Sequence, residues 1–264
     1  MLNTNPFTIL AQTVPPFAMQ GFIIAMILLI ALGTIIQMIN HKNLTYFLNN
    51  SKKAKLQATR EIGTGERMSI LAKTTVVDIG TTSELGFGKR RLSHVLGMYG
   101  TIIFWVSSAM LVFCYTGADK SSSSIWSTLW HIGAILTCIG GFWFWLFLRV
   151  DVSAEAHPWY RIIKADLFVL ALLACSIFGL AWSYTQFNGQ VGLSFLFLTL
   201  FVTSNLVLFG GVYWSKFAHM FYKPGAAIQK NLAEADGSRD NLPPLAEAPK
   251  QFGLGIKREQ PKHY

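Results

Sequence analysis

The chain has 264 residues, of which 52% are hydrophobic, and a formal net charge of +9 at pH 7. Together with a mean hydropathy of +0.40, this composition excludes an ordinary soluble domain and indicates an integral membrane protein. The three cysteines form no CxxC pair or tighter cluster, which argues against an iron–sulfur cluster or a zinc site.

Five apolar segments are long enough to cross a bilayer as helices, each of which needs about 20 mostly apolar residues. They lie at residues 17–39, 95–115, 125–148, 162–184 and 191–214. Because lipid offers no partner to unpaired backbone groups, each segment must be helical, and we predict an all-α, five-helix membrane bundle. The first segment is interpreted as a retained anchor, since no basic flank precedes it as in a signal peptide.

The distribution of positive charge predicts the orientation of the bundle. Of 22 Lys and Arg residues, 10 lie between residues 40 and 93, 3 lie between 149 and 164, and 8 lie from 216 onward; Lys120 alone falls on the other side. Positive residues are retained in the cytoplasm, so we expect the N-terminus outside and the C-terminus inside. The charge is explained by topology and by attraction to anionic headgroups, or by docking of an acidic soluble partner, without nucleic acid.

Four regions follow from this pattern. Residues 1–39 are an outer leader with the first span, and residues 40–93 form a basic cytoplasmic loop. The first half of that loop, NLTYFLNNSKKAKLQATREI, has a helical spacing of apolar positions with a basic face, which favours a helix on the membrane surface or on a partner. Residues 94–230 hold the other four spans. The proline-rich residues 231–264 are expected to be a flexible tail, after a helix stop at Lys223-Pro224-Gly225.

Two histidines mark the same predicted edge of the membrane. His94 begins the second span in KRRLSHVLGMYG, and His219 follows the fifth span in YWSKFAHMFYKPG. Because the second and fifth spans run in opposite directions, their imidazoles fall at one level. Two matched imidazoles at membrane depth are typical of the axial ligands of a b-type haem, although a single border histidine more often contacts water or a carbonyl.

Small and basic residues accompany both histidines. Gly97 lies one turn from His94, and Gly211 and Ser215 precede His219 at four-residue spacing. Such residues clear a helix face for a flat ligand, or equally allow close helix–helix contact. Cations lie nearby that either neutralise haem propionates or set the topology: Lys89, Arg90, Arg91 and Lys216.

With these two motifs, RRLSHVLGMYG and YWSKFAHMFYKP, the chain resembles the five-helix cytochrome b subunits of the respiratory nitrate reductase gamma and heterodisulfide reductase type. The resemblance covers roughly residues 90–230. Within that group, the size and the tail ending KREQPKHY are most similar to the membrane proteins associated with adenylylsulfate reductase. This likeness implies a bacterial cytoplasmic membrane, dissimilatory sulfur metabolism, a cytoplasmic iron–sulfur flavoprotein partner and exchange with the quinone pool.

The chain departs from that family at two positions. Di-haem members carry further histidines ten residues after the first ligand and eighteen residues before the second, where this chain has Phe104 and Phe201. Eighteen residues of helix rise about 27 Å, so Phe201 belongs to the outer half of the membrane. Because phenylalanine does not bind iron, we expect no outer haem and at most one haem b near the inner side, held by His94 and His219.

Other polar and aromatic residues in the spans have plainer interpretations. Asp166 is an acid within a span, with Lys164 as its expected partner and a proton relay as the alternative. His131 is expected to be a satisfied packing histidine; the alternatives are a hydrogen-bonding or quinone-contacting role and a His/Met site with Met110. Trp126 and Trp130 are predicted in the outer interfacial belt, and Trp159 and Tyr160 in the inner belt.

The expected function is that of a membrane subunit with no catalytic centre of its own. It would anchor a cytoplasmic redox enzyme beside the quinone pool and pass electrons through one haem b. The alternative is a haem-free anchor for the same kind of soluble oxidoreductase. A transporter is disfavoured because the sequence has no internal repeat and few polar groups in its spans.

Overall fold

The computed structural model of this chain describes residues 1–40, 42–85, 88–116, 125–151 and 157–238. The predictions made for Lys120 and for the tail beyond residue 238 lie outside these residues. Within them, every regular element is helical. The α-helices, in chain order, are α1 (Pro6–Leu10), α2 (Pro16–Asn40), α3 (Asn43–Gln57), α4 (Thr64–Lys73), α5 (Lys89–Cys114), α6 (Ile125–Trp143), α7 (Leu167–Phe187), α8 (Val191–Gly210) and α9 (His219–Ala235).

Five helices are long and apolar enough to cross a membrane: Pro16–Asn40, Lys89–Cys114, Ile125–Leu148, Lys164–Phe187 and Val191–Tyr213. The third includes a π-helical last turn, Phe144–Leu148, and the fourth begins with a 3₁₀ turn, Lys164–Asp166. The predicted five-helix, all-α architecture is confirmed, with boundaries within a few residues of those expected from hydropathy, except that α5 begins six residues early. The direction in which the bundle crosses the membrane stays a prediction.

The chain divides into two compact units. The first, called here the bundle unit, comprises Met1–Gln37 and Leu92–Ala218; the second, the peripheral unit, comprises Met38–Arg91 and His219–Tyr264. The loop between the first two spans therefore folds with the helix that follows the fifth span. The predicted bundle of residues 94–230 extends further along the chain than the bundle unit does.

Glycines bring α5 and α6 into backbone contact. A Cβ atom on Gly140 would lie 2.4 Å from the Gly97 nitrogen, and one on Gly100 would lie 2.5 Å from the Thr137 nitrogen. Ser93 Oγ donates a hydrogen bond to the Gly140 carbonyl at 2.8 Å. Small residues permit this approach in a membrane, where packing and interhelical hydrogen bonds hold helices together.

The leader forms a structured closure at the predicted outer end of the bundle. Pro6 occupies the first turn of α1, and Asn5 caps it by accepting the Phe7 N–H at 3.0 Å. Asn5 Nδ2 and Thr8 Oγ1 both donate to the Tyr115 carbonyl, at 3.1 and 3.0 Å. This arrangement satisfies a carbonyl at the end of α5 and buries Phe7.

The fifth span is not one continuous α-helix up to the predicted stop at residues 223–225. After Gly210 the chain forms 3₁₀ turns at Gly211–Tyr213 and Lys216–Ala218, and Ser215 Oγ accepts the Phe217 N–H at 3.2 Å. The α9 helix then continues through Pro224 to Ala235, so the predicted stop at Lys223-Pro224-Gly225 is wrong. The two adjacent glycines at 210 and 211 favour a break, whereas Pro224 costs α9 one backbone hydrogen bond without ending it.

The peripheral unit packs α3 and α4 with α9. Asn231 Nδ2 donates to Thr74 Oγ1 at 2.7 Å and to Asp78 Oδ2 at 2.8 Å. The backbone N–H groups of Thr59 and Arg60 donate to the Asp236 carbonyl at 2.9 and 3.3 Å, which provides partners at the end of α9. The helix predicted in the first half of the loop is confirmed as α3, and the second half forms α4 and a π-helix, Thr74–Gly80.

Candidate functional site

His94 lies on the first part of α5, and its side chain is exposed. Gly97, one turn further along, has no atom within 4 Å of the position where a Cβ would stand, so the helix surface beside His94 is open there. The backbone of Gly97 meanwhile contacts α6 at Gly140. Both functions foreseen for this glycine are therefore compatible: its backbone serves helix contact, and its missing side chain leaves open space.

His219 begins α9, and its side chain, like that of Lys216, lies outside the described residues. His94 belongs to the bundle unit and His219 to the peripheral unit. Arg91 Nε donates to the Thr81 carbonyl at 2.7 Å within the peripheral unit. The bis-histidine haem site, with Arg91 and Lys216 beside it, stays a prediction.

The helices of the second and fifth spans are neighbours, as a shared haem requires. Within the bundle unit, the ring of Trp105 on α5 lies 5.3 Å from that of Phe209 on α8 and 5.7 Å from that of Phe217, measured between centroids. These tilted and edge-on contacts are the usual packing of aromatic side chains.

The predicted glycine-and-serine face before His219 depends on a continuous α-helix. Gly211 and Ser215 precede His219 by eight and four residues, but the 3₁₀ turns between Gly211 and Ala218 interrupt the α-helix. Residues at four-residue spacing share a face only in a continuous α-helix. Gly211 is instead buried beside the indole of Trp214, and Ser215 caps the next turn.

Phe104 and Phe201, at the positions where di-haem cytochrome b subunits carry histidines, belong to one packed group of rings. We define the outer aromatic cluster as Phe7, Phe104, Trp130, Trp182 and Phe201. Phe104 lies 6.3 Å from Phe201 and 5.0 Å from Trp130, while Trp182 stacks on Phe201 at 5.8 Å. Aromatic side chains thus fill the space between α5 and α8 at this level, and the expected lack of an outer haem stays a prediction.

Trp130 corrects the interfacial-belt interpretation. Its side chain is 0% exposed, and its indole Nε1 donates to Ser108 Oγ at 2.9 Å. A buried tryptophan with a satisfied N–H is a core residue. At the other end of the bundle, Trp159 and Tyr160 are 60% and 71% exposed, as residues of an interfacial belt would be.

His131 is held at both ring nitrogens. Nδ1 lies 2.7 Å from the Ser127 carbonyl and Nε2 lies 2.8 Å from Ser183 Oγ, with the side chain 0% exposed. Because a carbonyl only accepts, Nδ1 carries the proton and Nε2 accepts from the serine hydroxyl. The packing interpretation is confirmed, and neither nitrogen is left over for iron.

Asp166 has a different partner from the one predicted. Arg149, fully buried, donates from Nε to Oδ1 at 3.3 Å and from Nη2 to Oδ2 at 2.5 Å, whereas Lys164 is exposed. The guanidinium also donates to the carbonyls of Pro158 and Arg161 and lies 4.4 Å from the Trp145 ring centre. We call this arrangement the arginine clamp.

Sequence reasoning counted Arg149 as topological charge and so missed the clamp. The available signal was Asp166 itself, because a carboxylate buried in a span requires a fork of donors, which arginine offers and lysine does not. Trp145, one helical turn before Arg149, provides the aromatic face on which a guanidinium stacks.

Comparison with known proteins adds no relative: no protein family, no curated protein and no solved structure matches the chain. Among the described residues, no group of three or more His, Cys, Asp or Glu side chains is arranged to hold a metal ion. A haem held by two histidines does not need such a group.

Proposed function

We propose that the protein is the membrane subunit of a redox complex, anchoring a cytoplasmic oxidoreductase and relaying electrons between it and quinone through one haem b. The observation that carries the anchoring role is the peripheral unit. It is a helical body assembled from the loop after the first span and the helix after the fifth, and it carries most of the positive charge that predicts a cytoplasmic location. The resemblance to adenylylsulfate reductase-associated proteins suggests that enzyme as the partner.

The haem part of the proposal rests on α5. His94 offers an exposed imidazole, Gly97 leaves the adjacent helix surface open, and α5 adjoins α8, which leads to His219. His94 and His219 would hold the iron, and Arg91 and Lys216 would offset the propionate charges. The bound haem would supply one-electron chemistry, and the packed outer aromatic cluster favours a single haem on the inner side.

The spectrum of the purified protein tests this proposal. A reduced-minus-oxidised difference spectrum is expected to contain a b-type band, and His94→Ala and His219→Ala are each expected to abolish it by removing an axial ligand. His131→Ala is the matched control, since both nitrogens of that ring are already bonded within the bundle.

Gly97→Leu provides a second variant that leaves the ligands intact. A Cβ added at Gly97 meets nothing within 4 Å outside its own helix backbone, so the helices are expected to fold while haem content falls. A b-type band that persists in His94→Ala would contradict the ligand assignment. A well-folded wild-type preparation without haem would leave the second candidate, a haem-free anchor, which the peripheral unit favours by itself.

A further inference from the structure

The peripheral unit contains an open groove between α3 and α9, with a volume of about 540 Å³. We call it the α3–α9 groove. Its floor and rim are formed by residues of α3, of the segment before α4, of α4 itself and of α9, among them Ser51, Lys55, Arg67, Gly225 and Gln229. Its size lies in the range of small-molecule and side-chain recognition sites.

The floor of the groove offers open backbone and an unpaired amide donor. Gly225 has nothing within 4 Å of its Cβ position, so α9 presents bare backbone there. The side-chain nitrogen of Gln229 is buried without a hydrogen-bond acceptor among the described residues. A buried amide donor without an acceptor is unfavourable, and a ligand oxygen would supply the missing acceptor.

The rim carries two cations, Lys55 and Arg67, that no described acid of the unit pairs with. Arg60 is already paired, because it donates to both carboxylate oxygens of Glu66 and to the Ala235 carbonyl. Within the part of the chain that the structure describes, the side chains of Lys55 and Arg67 form no ion pair, and both are exposed. The acids of the groove are Glu61 and Asp236, and Asp236 accepts the Ser238 N–H.

From these features we infer that the α3–α9 groove receives an amphipathic helix of the soluble partner, with apolar side chains on the floor and acidic side chains against Lys55 and Arg67. The helix-in-groove mode uses an apolar stripe for burial and its edges for specificity. The charge sign follows from the surrounding surface, since the peripheral unit through residue 238 carries twelve Lys and Arg against six Asp and Glu. Opposite charge on the partner steers association.

The openness of the groove decides between a helix and a lipid chain. The exposed lining residues include Lys55, Ala58, Arg60, Glu61 and Gly225, so no described residue covers the groove at these positions. An acyl chain lying there would keep one side in water, so part of its apolar surface would stay unburied. A helix instead turns its own polar face outward, and an open groove is suited to that occupant.

Binding of a designed helix to the full-length protein tests this inference. The probe is a fluorescent peptide with leucines on one face and glutamates along its edge, added to the protein in nanodiscs of neutral phosphatidylcholine. Lys55→Glu combined with Arg67→Glu is expected to weaken binding about tenfold or more through lost and reversed charge pairs. Gly225→Leu, which fills the floor without changing charge, is expected to weaken it to a similar extent.

The matched control is Lys52→Glu combined with Lys53→Glu, which makes the same charge change on α3 outside the groove lining. It is expected to change the affinity less than about twofold, since surface charges away from the contact are screened. Equal weakening by both pairs, or no binding by the wild type, overturns the inference.

A photo-crosslinking residue at Ser51 tests the same groove in native membranes. The expected product joins Ser51 to an acidic, amphipathic helical segment of a cytoplasmic protein. Products formed with lipid, with a second copy or with this chain's own residues overturn it. The inference rests on the anchoring part of the proposed function and not on haem. An absent b-type band therefore contradicts the cytochrome proposal alone. If the band is present but the Lys55/Arg67 and Lys52/Lys53 variants bind the peptide equally, the groove inference alone is contradicted.

Discussion

Arg149→Met is expected to lower the free energy of unfolding by about 3–5 kcal/mol, the usual cost of removing one member of a buried ion pair. The change leaves the Asp166 carboxylate without its guanidinium and removes the donors to the Pro158 and Arg161 carbonyls. Asp166→Asn is expected to cost less, because the carbonyls continue to solvate part of the buried charge. Denaturant titration in mixed micelles, followed by circular dichroism, measures both effects.

Arg161→Met is the control for the arginine clamp. It removes the same charge from the same connection, but the Arg161 side chain is exposed, and single exposed charges contribute about 0–1 kcal/mol. The double variant Arg149→Met with Asp166→Asn is expected to cost less than the sum of the single changes, because neither partner is then left alone. Equal unfolding midpoints for Arg149→Met and Arg161→Met would show that the clamp does not stabilise the bundle.

Gly140→Ala is expected to separate α5 from α6 and destabilise the bundle by about 1–3 kcal/mol, as overpacking does in tightly packed cores. The new Cβ would stand 2.4 Å from the Gly97 nitrogen and 2.7 Å from the Ser93 carbonyl oxygen, and backbone atoms cannot yield as a flexible side chain can. The shift would also stretch the bond from Ser93 Oγ to the Gly140 carbonyl. The thermal unfolding midpoint in detergent reports the loss.

Gly97→Ala is the matched substitution on the facing helix. Its Cβ would meet no atom within 4 Å, and alanine is the better helix former by about 1 kcal/mol. The midpoint of this variant should stay the same or rise slightly. If Gly140→Ala and Gly97→Ala have the same unfolding midpoint, α5 and α6 are not in the backbone contact described above.

The spans themselves were predictable because a membrane leaves one local solution for a long apolar segment. Residues 125–148 and 191–214 were assigned from hydropathy alone, and the helices found there end within a residue of those limits. The break after Gly210 was harder to foresee. Pro224 is the stronger helix breaker by propensity, yet it lies inside α9, while the interruption falls at Gly211–Ala218, where Ser215 accepts a backbone N–H and Phe217 is buried among aromatic rings.

In the candidate site too, some features were predictable from the sequence and others were not. Histidine positions, and the phenylalanines where a second pair of ligands would stand, are visible in the sequence because they depend on residue type and spacing. The partners of Asp166, His131 and Trp130 were not visible. Each is bonded to a residue at least one span or loop away in the chain, except for the Ser127 contact of His131.

By itself the amino-acid sequence determined the number, length and apolar character of the membrane helices, because burial in lipid constrains every residue of a span through its own composition. Tertiary structure alone decided which polar group meets which, that the leader closes one end of the bundle, and that the loop after the first span folds with α9. These outcomes depend on contacts between residues distant in the chain, whose geometry local propensity and periodicity do not encode.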